Sequence, residues 1–369
     1  MLPLLFAIII TLLPAPQAPD LATQFQEAVA LQQQGKFTEA AAAYRTLLKR
    51  NPAYVEAQAN LGVVLARLGK YDEAVIAYQR ALKLAPQLIQ IELNLGIAHY
   101  RAGQMKPAAA VFERFLAQQP DHLQARQLYG LALNAQGRDA EAIAQIRQTL
   151  DAAPPDPAVL YALGQSCLRA GQAGFQDALQ RLAAFPAGLP ALHFLQGQAF
   201  LRDNEHEQAL DELLKAEKLQ PELPRLAFTI GLAYRQLSRN QEAMAAFEKE
   251  LQRSPQDAPT HYYLAAAAEA AGNLTLASQR VNAALKLDPQ SAEANALLAK
   301  ILFTQNKPAQ ALIPLNRAIT AQPNDPTHRY LRARLYRALG RSAEANREFA
   351  EVQRLKAEQL KSDREKAPK

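Results

Sequence analysis

Apolar residues recur along this chain at the spacing of an α-helix rather than that of a strand. In residues 55–88, large apolar residues such as Leu61 and Tyr78 and small ones such as Gly62 and Ala74 lie three or four positions from the next apolar residue. This spacing places them on one face of each helix. A Gly-Lys turn divides the stretch, and a final proline stops the second helix. The pattern predicts a helical hairpin of 34 residues.

Small residues mark the places where the two helices of a hairpin are expected to cross closely. Glycine inside a helix costs roughly 1 kcal/mol relative to alanine, so Gly62 is expected to face the second helix at Ala74. The eighth position of the pattern is always small: Ala28, Gly62, Gly96, Gly130, Gly164, Gly197, Gly231, Ala265, Ala299 and Ala333. The twentieth position is alanine in nine of these ten units: Ala40, Ala74, Ala108, Ala142, Ala209, Ala243, Ala277, Ala311 and Ala345.

This pattern resembles the tetratricopeptide repeat, which has a period of about 34 residues and a small-and-aromatic signature. The resemblance covers roughly residues 21–359 and implies about ten repeats. It predicts an all-α fold, a right-handed superhelical solenoid of antiparallel helix pairs. In such a solenoid each repeat buries its apolar face only against its neighbours.

The repeats divide the chain into five predicted segments. Repeat five has a lengthened turn, a second helix expected at Gln176–Phe185, and one residue fewer than the others. These features fit either a slightly decayed repeat or a functional hinge or widening of the groove. The last repeat lacks a closing proline and is expected to end in a capping helix. The segments are 1–20, signal peptide or anchor with linker; 21–156, repeats one to four; 157–189, repeat five; 190–359, repeats six to ten with the cap; and 360–369, a charged tail.

The N-terminal residues 2–13 form an apolar run. It is short for a membrane span and has the length of a secretory signal core. No Lys or Arg precedes the run, and Ala15 and Ala18 at the possible cleavage sites are each followed by proline. The chain is therefore expected to be exported, periplasmic or secreted, or to be anchored in a membrane by a retained N-terminus.

The net charge of +6 comes from one end of the chain. Residues 326–369 contain twelve Lys or Arg and six Asp or Glu, which leaves residues 1–325 formally neutral. A neutral body does not favour a nucleic-acid stripe along the solenoid. The basic end supports an alternative function, electrostatic binding to an anionic membrane surface or nucleic acid.

The sequence contains no convincing catalytic constellation. His99 falls at a core position, and the Glu-His-Glu at 205–207 lacks the helical spacing of zinc-binding histidines. We therefore expect no catalytic residue, cofactor, metal ion or small-molecule substrate. An enzymatic alternative would depend on His193, His206 or His261. Cys167, the only cysteine, occupies a core position and excludes an internal disulfide.

Binding is the better-supported class of function. The resemblance implies that positions two, five, six, nine, twelve and thirteen of the first helices line a concave groove. Aromatic, arginine and asparagine residues at these positions favour an extended peptide with acidic or C-terminal carboxylate groups. The predicted contacts are Asn60, Arg67, Asn94, Tyr100, Arg101, Tyr161, Arg169, Phe194, Arg202, Phe228, Arg235, Tyr262, Tyr330 and Arg337.

The same residues have a structural alternative, since rings can pack between helices and arginines can complement helix dipoles. A chaperone-type carboxylate clamp is not expected, because no repeat has lysine at position five. The sequence thus predicts a non-catalytic adaptor that binds a protein or extended peptide, in a setting such as cell-envelope assembly or secretion.

Overall fold

The computed structural model describes residues 20–152 and 156–366, and in these ranges the chain is entirely helical, without a strand. The chain divides into two compact units, and the division falls after Ala178. The predicted all-α class is confirmed, and each unit is a solenoid built from paired antiparallel helices.

The described part of unit 1 begins with Asp20, whose carboxylate accepts a hydrogen bond from the backbone N–H of Thr23 and caps the first helix. First and second helices of the repeats alternate from there. Their bounds are α1 Leu21–Gln33, α2 Phe37–Arg50, α3 Val55–Arg67, α4 Tyr71–Leu84, α5 Ile89–Arg101, α6 Met105–Gln118, α7 Leu123–Ala135, α8 Asp139–Arg147 and α9 Pro157–Ala170.

The division between the units falls within α10, Phe175–Ala183, the second helix of repeat five. Unit 2 continues with a 3₁₀ turn at Pro186–Gly188 and ten helices. Their bounds are α11 Leu189–Arg202, α12 His206–Leu219, α13 Leu226–Gln236, α14 Asn240–Arg253, α15 Ala258–Ala270, α16 Leu274–Leu287, α17 Ala292–Thr304, α18 Pro308–Ala321, α19 Pro326–Ala338 and α20 Ser342–Lys366.

The glycine at position eight makes room for a large side chain of the second helix, which is a ring in some repeats and Ile146 or Leu213 in others. A Cβ added to Gly62 would lie 2.5–2.8 Å from three ring atoms of Tyr78. Gly96 faces Phe112 and Gly231 faces Phe247 in the same way. The second helix thus approaches Gly62 closely, and the nearest side chain is the one four residues beyond Ala74.

A left-handed residue turns the chain between the two helices of every repeat. Its backbone φ lies between 59° and 80° in all ten cases, namely Gly35, Gly69, Gly103, Gly137, Gly171, Asn204, Ser238, Gly272, Asn306 and Gly340. The following N–H bonds to the carbonyl five residues earlier, as Lys36 does with Leu31 at 2.9 Å. This is the Schellman arrangement, which satisfies carbonyls left unpaired at a helix end.

The break in regularity was expected at repeat five, and the structure shows that it begins in the second helix of repeat four. Helix α8 has 9 residues where α4 and α6 have 14. Helix α10 begins at Phe175, and the backbone is extended at Phe185 (φ −117°, ψ 120°). The residue before a proline disfavours the helical region, so the expected helix end at Phe185 lies two residues beyond the observed one.

The two chain ends carry the predicted signal or anchor and the predicted capping helix with its charged tail. Residues 1–19, which carry the predicted signal or anchor, lie outside the described residues. Within the described ranges, none of the helices combines the length and apolar content that a bilayer crossing requires. At the other end α20 has 25 residues and continues past position 359, where the charged tail was expected to begin.

Candidate functional site

The first helices of both units have an accessible stripe. In α3, positions two, five, six, nine, twelve and thirteen are half-buried or exposed, while positions three, four, seven, eight, ten and eleven are buried. Helix α15 shows the same division. This set coincides with the positions that the family resemblance implied for a groove, so we call it the accessible stripe.

Three predicted contacts of unit 1 lie together in one cleft. Arg67 of α3 and Asn94 and Arg101 of α5 line a cavity of about 510 Å³. Neither guanidinium forms a hydrogen bond or ion pair with the described residues, and both are exposed. Tyr71 and Tyr78 of α4 line the same cleft and were not predicted as contacts.

Two other predicted arginines already have carboxylate partners. Arg169 holds Asp139 through Nε and Nη2 at 2.6–3.1 Å, and its Nη2 also donates to the Asn134 carbonyl at 2.9 Å. Arg202 donates from Nε to Asp203 at 2.9 Å, and this bond raises the pKa of Arg202 and lowers that of Asp203. Arg169 thus links α9 to the preceding repeat.

Unit 2 carries an aromatic cluster on its first helices. Phe228 of α13 packs edge-on against Tyr263 of α15 at 5.4 Å, and Tyr262 contacts the same Tyr263 ring at 5.0 Å. The guanidinium of Arg235 lies 5.3 Å from the Tyr263 centroid. Burial raises the pKa of Tyr262. The predicted residues Phe228, Tyr262 and Arg235 therefore share one half-buried surface, joined by Tyr263.

The aromatic residue at position five has a different role in different repeats. Tyr330 of α19 is 48% exposed and contacts Phe349 at 5.8 Å, with the Arg337 guanidinium 4.9 Å from that same Phe349 ring. Phe194 of α11 is only 1% exposed. Phe194 is a core residue and offers no surface to a partner, so we leave it out of the site.

The remaining predicted contacts are half-buried in unit 1. The Asn60 amide lies within hydrogen-bonding reach of the Tyr44 hydroxyl, which donates to Gln32 at 2.9 Å. The Tyr161 hydroxyl accepts a hydrogen bond from Gln165 at 3.2 Å. Burial raises the pKa of Tyr161 to about 12, against the opposite effect of nearby Arg169, and burial also raises the pKa of Tyr100.

His99, His193 and Cys167 have structural surroundings. Nδ1 of His99 lies 2.6 Å from Oε1 of Gln104, and Nδ1 of His193 lies 2.6 Å from Oε2 of Glu212. Cys167 is buried, and burial raises the pKa of its thiol. Among the described residues, no group of three or more His, Cys, Asp or Glu is arranged to hold a metal ion.

A second recurring contact of the repeats was not predicted. The side chain at position four reaches back six residues to the carbonyl of the proline that closes the preceding repeat. The pairs are Gln58 with Pro52, Arg126 with Pro120, His261 with Pro255, Asn295 with Pro289 and Arg329 with Pro323. The sequence signal is a hydrogen-bond donor six residues after the proline.

Several basic side chains of the C-terminal repeat are paired within the chain. Arg329 and Arg332 contact Glu348 at 3.5 and 2.7 Å, and Arg354 contacts Glu351 at 2.6 Å. These ion pairs leave the excess of positive charge in residues 326–369 unchanged, because their carboxylates are already subtracted in it.

Stacked helical hairpins with an accessible stripe on their first helices define a solenoid repeat protein. Family models described as tetratricopeptide repeat match residues 25–89, 93–157, 194–258, 234–301, 268–335 and 326–351, and one of these models alone covers more than half of the chain. The chain belongs to the tetratricopeptide repeat family. This fold is that of a protein-interaction scaffold.

Curated relatives carry the same repeat. Tetratricopeptide repeat protein 16 of Homo sapiens is 27% identical over 172 residues, which make up 43% of this chain and 20% of that protein. Its counterpart from Mus musculus is 27% identical over 169 residues, 42% of this chain and 22% of that protein. The match therefore spans only about one fifth of the length of these relatives.

Solved structures of low sequence identity share the fold. A monomeric mutant of IFIT1 with Gppp-AAAA has a TM-score of 0.56 at 16% identity, over 91% of this chain and 90% of that chain. The human IFIT1 dimer with m7Gppp-AAAA has a TM-score of 0.52 at 16% identity, over 92% and 90%. At this identity the likeness shows the fold alone.

Proposed function

We propose that the protein is a non-catalytic adaptor and that the accessible stripe of its first helices holds an extended segment of a partner protein. The observation that carries this proposal is the burial pattern of α3 and α15, in which the same six positions stay accessible in both units. Within each unit, where successive first helices contact each other, such a stripe presents a series of side chains to an extended ligand.

The side chains of the stripe fit a partner with apolar and acidic groups. Half-buried rings at Phe228, Tyr262 and Tyr263 provide apolar contact area with little rotamer entropy to lose. The unpaired guanidinium groups of Arg67 and Arg101 provide planar donors for carboxylates. Neither feature needs a catalytic group or cofactor.

The experiment that tests this proposal is site-specific photo-crosslinking in the native cell. A photoreactive phenylalanine analogue replaces Tyr330 or Gln90, which lie on the stripe of α19 and α5. Matched controls replace Ile313 of α18 and Ile76 of α4, which are 61% and 49% exposed on second helices. We expect a defined partner adduct from the stripe positions only, and equal adducts from the control positions would contradict the proposal.

We further propose export or N-terminal anchoring, on the strength of the apolar run at 2–13. The cell-envelope setting of the adaptor rests on this second proposal. Fractionation of the native cell, followed by N-terminal sequencing of the mature chain, tests it. A chain recovered from the cytosol with residues 1–20 intact would contradict both export and the envelope setting.

A further inference from the structure

The cleft between α3 and α5 contains an unusual set of unused polar groups. Five side chains with hydrogen-bond donors line its 510 Å³, namely Arg67, Arg101, Asn94, Tyr71 and Tyr78. None of the five makes a side-chain hydrogen bond or ion pair with the described residues. Their donors face the open cleft and are free to bind a ligand without breaking a contact within the described chain.

Tyr78 is the most informative member of the set. Its side chain is 3% exposed and its ring packs on Gly62, yet its hydroxyl is not bonded to the described chain. The hydroxyl is not one of the side-chain atoms buried without a partner, so it reaches the open space of the cleft that Tyr78 lines. A phenylalanine would fill the same core space, so packing alone does not account for the hydroxyl.

The charge of the cleft selects the ligand. Its remaining lining residues are Val63, Ala66, Ile97 and Ala98, so no carboxylate among the lining residues offsets the two guanidinium groups. Two permanent positive charges match a ligand with two negative charges. The apolar residues between them leave room for a short stretch of backbone and a small side chain.

The positions of the two arginines determine how far apart the two negative charges of the ligand should lie. Arg67 and Arg101 occupy the same position in consecutive repeats, on first helices that contact each other. The axes of packed helices lie about 8–10 Å apart. In an extended peptide, residues i and i+2 point to the same side and lie about 7 Å apart, which the flexible arginine side chains can span.

We propose that the cleft binds an acidic-X-acidic motif in an extended segment of a partner protein. One carboxylate pairs with each of Arg67 and Arg101, and the Tyr78, Tyr71 and Asn94 side chains donate to the remaining carboxylate oxygens or to the peptide backbone. This inference rests on the proposed function and specifies which partner chemistry unit 1 recognises.

Binding of short labelled peptides to the full chain, followed by fluorescence anisotropy, tests the motif. The capped peptide Ala-Glu-Ala-Glu-Ala is compared with Ala-Gln-Ala-Gln-Ala, with Ala-Ala-Glu-Glu-Ala and with a peptide that carries a single phosphoserine. We expect the first peptide to bind at least about tenfold more tightly than the others, as charge-assisted hydrogen bonds to two arginines require. Tight binding of the single phosphoserine peptide, or displacement by inorganic phosphate, would overturn the proposal.

Three variants localise the binding to the cleft. Arg67→Gln, Arg101→Gln and Tyr78→Phe should each weaken the first peptide by about tenfold, since each removes a hydrogen bond to a charged group. Arg80→Gln is the matched control, because it removes the same charge from an exposed arginine of α4 outside the cleft. Unchanged melting temperatures confirm that the variants fold.

Equal weakening by Arg80→Gln would show nonspecific charge attraction and overturn the proposal, as would a wild-type chain that fails to bind at millimolar peptide. These outcomes are separate from those of the crosslinking experiment. If adducts still form on the stripe while the peptide fails to bind, the adaptor function stands and the acidic motif falls.

Discussion

At the scale of single residues, the packing of a repeat depends on the pair formed by positions eight and twenty-four. The Gly62 Cα lies under the Tyr78 ring, and a Cβ there would approach three ring atoms to within 2.5–2.8 Å. Tyr78 is 3% exposed and has little room to withdraw. The pair therefore combines a core contact with the wall of the candidate binding cleft.

Gly62→Ala should lower the free energy of unfolding by about 1–2 kcal/mol, because the cost of overpacking exceeds the gain in helix propensity. Chemical denaturation measures this difference. In a Tyr78→Ala background the clash is gone, so the same substitution should then be neutral or stabilising. A destabilisation of the same size in both backgrounds would contradict the packing argument.

At the scale of elements, the helix pairs and their turns follow from local sequence, and this is why most of the fold was predictable. Glycines such as Gly69 predicted the turns directly from the sequence. Asn204, Ser238 and Asn306 have the same left-handed conformation without glycine, so their turns had to be inferred from the period. The end of α10 depends on the proline that follows it, and the end expected at Phe185 lies two residues beyond the observed one.

The site was predictable to a smaller extent. Equal repeat positions stack in space, so Arg67, Asn94 and Arg101 were expected on one surface and do line one cleft. Tyr78 was assigned to the core, and its additional position on the cleft wall is visible only in three dimensions. Phe194 has the right helical phase but is buried, because the phase of a helix does not determine how deeply its neighbours cover it.

The strained turn at Ser238 offers a stability test at this scale. A left-handed backbone costs an L-residue about 1–2 kcal/mol. Glycine avoids this cost, but its greater freedom in the unfolded chain cancels part of the gain in stability. Ser238→Gly should therefore stabilise the protein by up to about 1 kcal/mol in thermal or chemical denaturation. Gly272→Ala, at a turn where a Cβ has open space, should destabilise by a similar amount. A destabilising Ser238→Gly together with a stabilising Gly272→Ala would contradict the role of the left-handed turns.

At the scale of the whole molecule, buried tyrosines are distributed over both units and make stability depend on alkaline pH. Burial raises the pKa of Tyr161 to about 12 from its ordinary value of 10.0, and it raises the pKa of Tyr44, Tyr100 and Tyr262 as well. A raised folded-state pKa means that the folded chain retains a proton that the unfolded chain loses. This contribution to stability is present in full below pH 10 and is lost as the pH rises from 10 through about 12.

We therefore expect the chain to unfold cooperatively as the pH is raised through this window. Tyrosinate absorbance and far-UV circular dichroism, recorded on the same samples, measure ionisation and helix content together. Ionisation of all twelve tyrosines with the helix content unchanged would contradict the burial argument.

The most direct test of the adaptor function is the affinity of the partner segment that crosslinking identifies. Calorimetric titration of this segment is compared between wild type, a stripe variant with Tyr262→Ala and Tyr330→Ala, and a control variant with Leu214→Ala and Ile313→Ala on second helices. The account predicts that the stripe variant loses most of the affinity and that the control retains it. Retained affinity in the stripe variant, with loss in the control, would show that the partner binds the second helices instead.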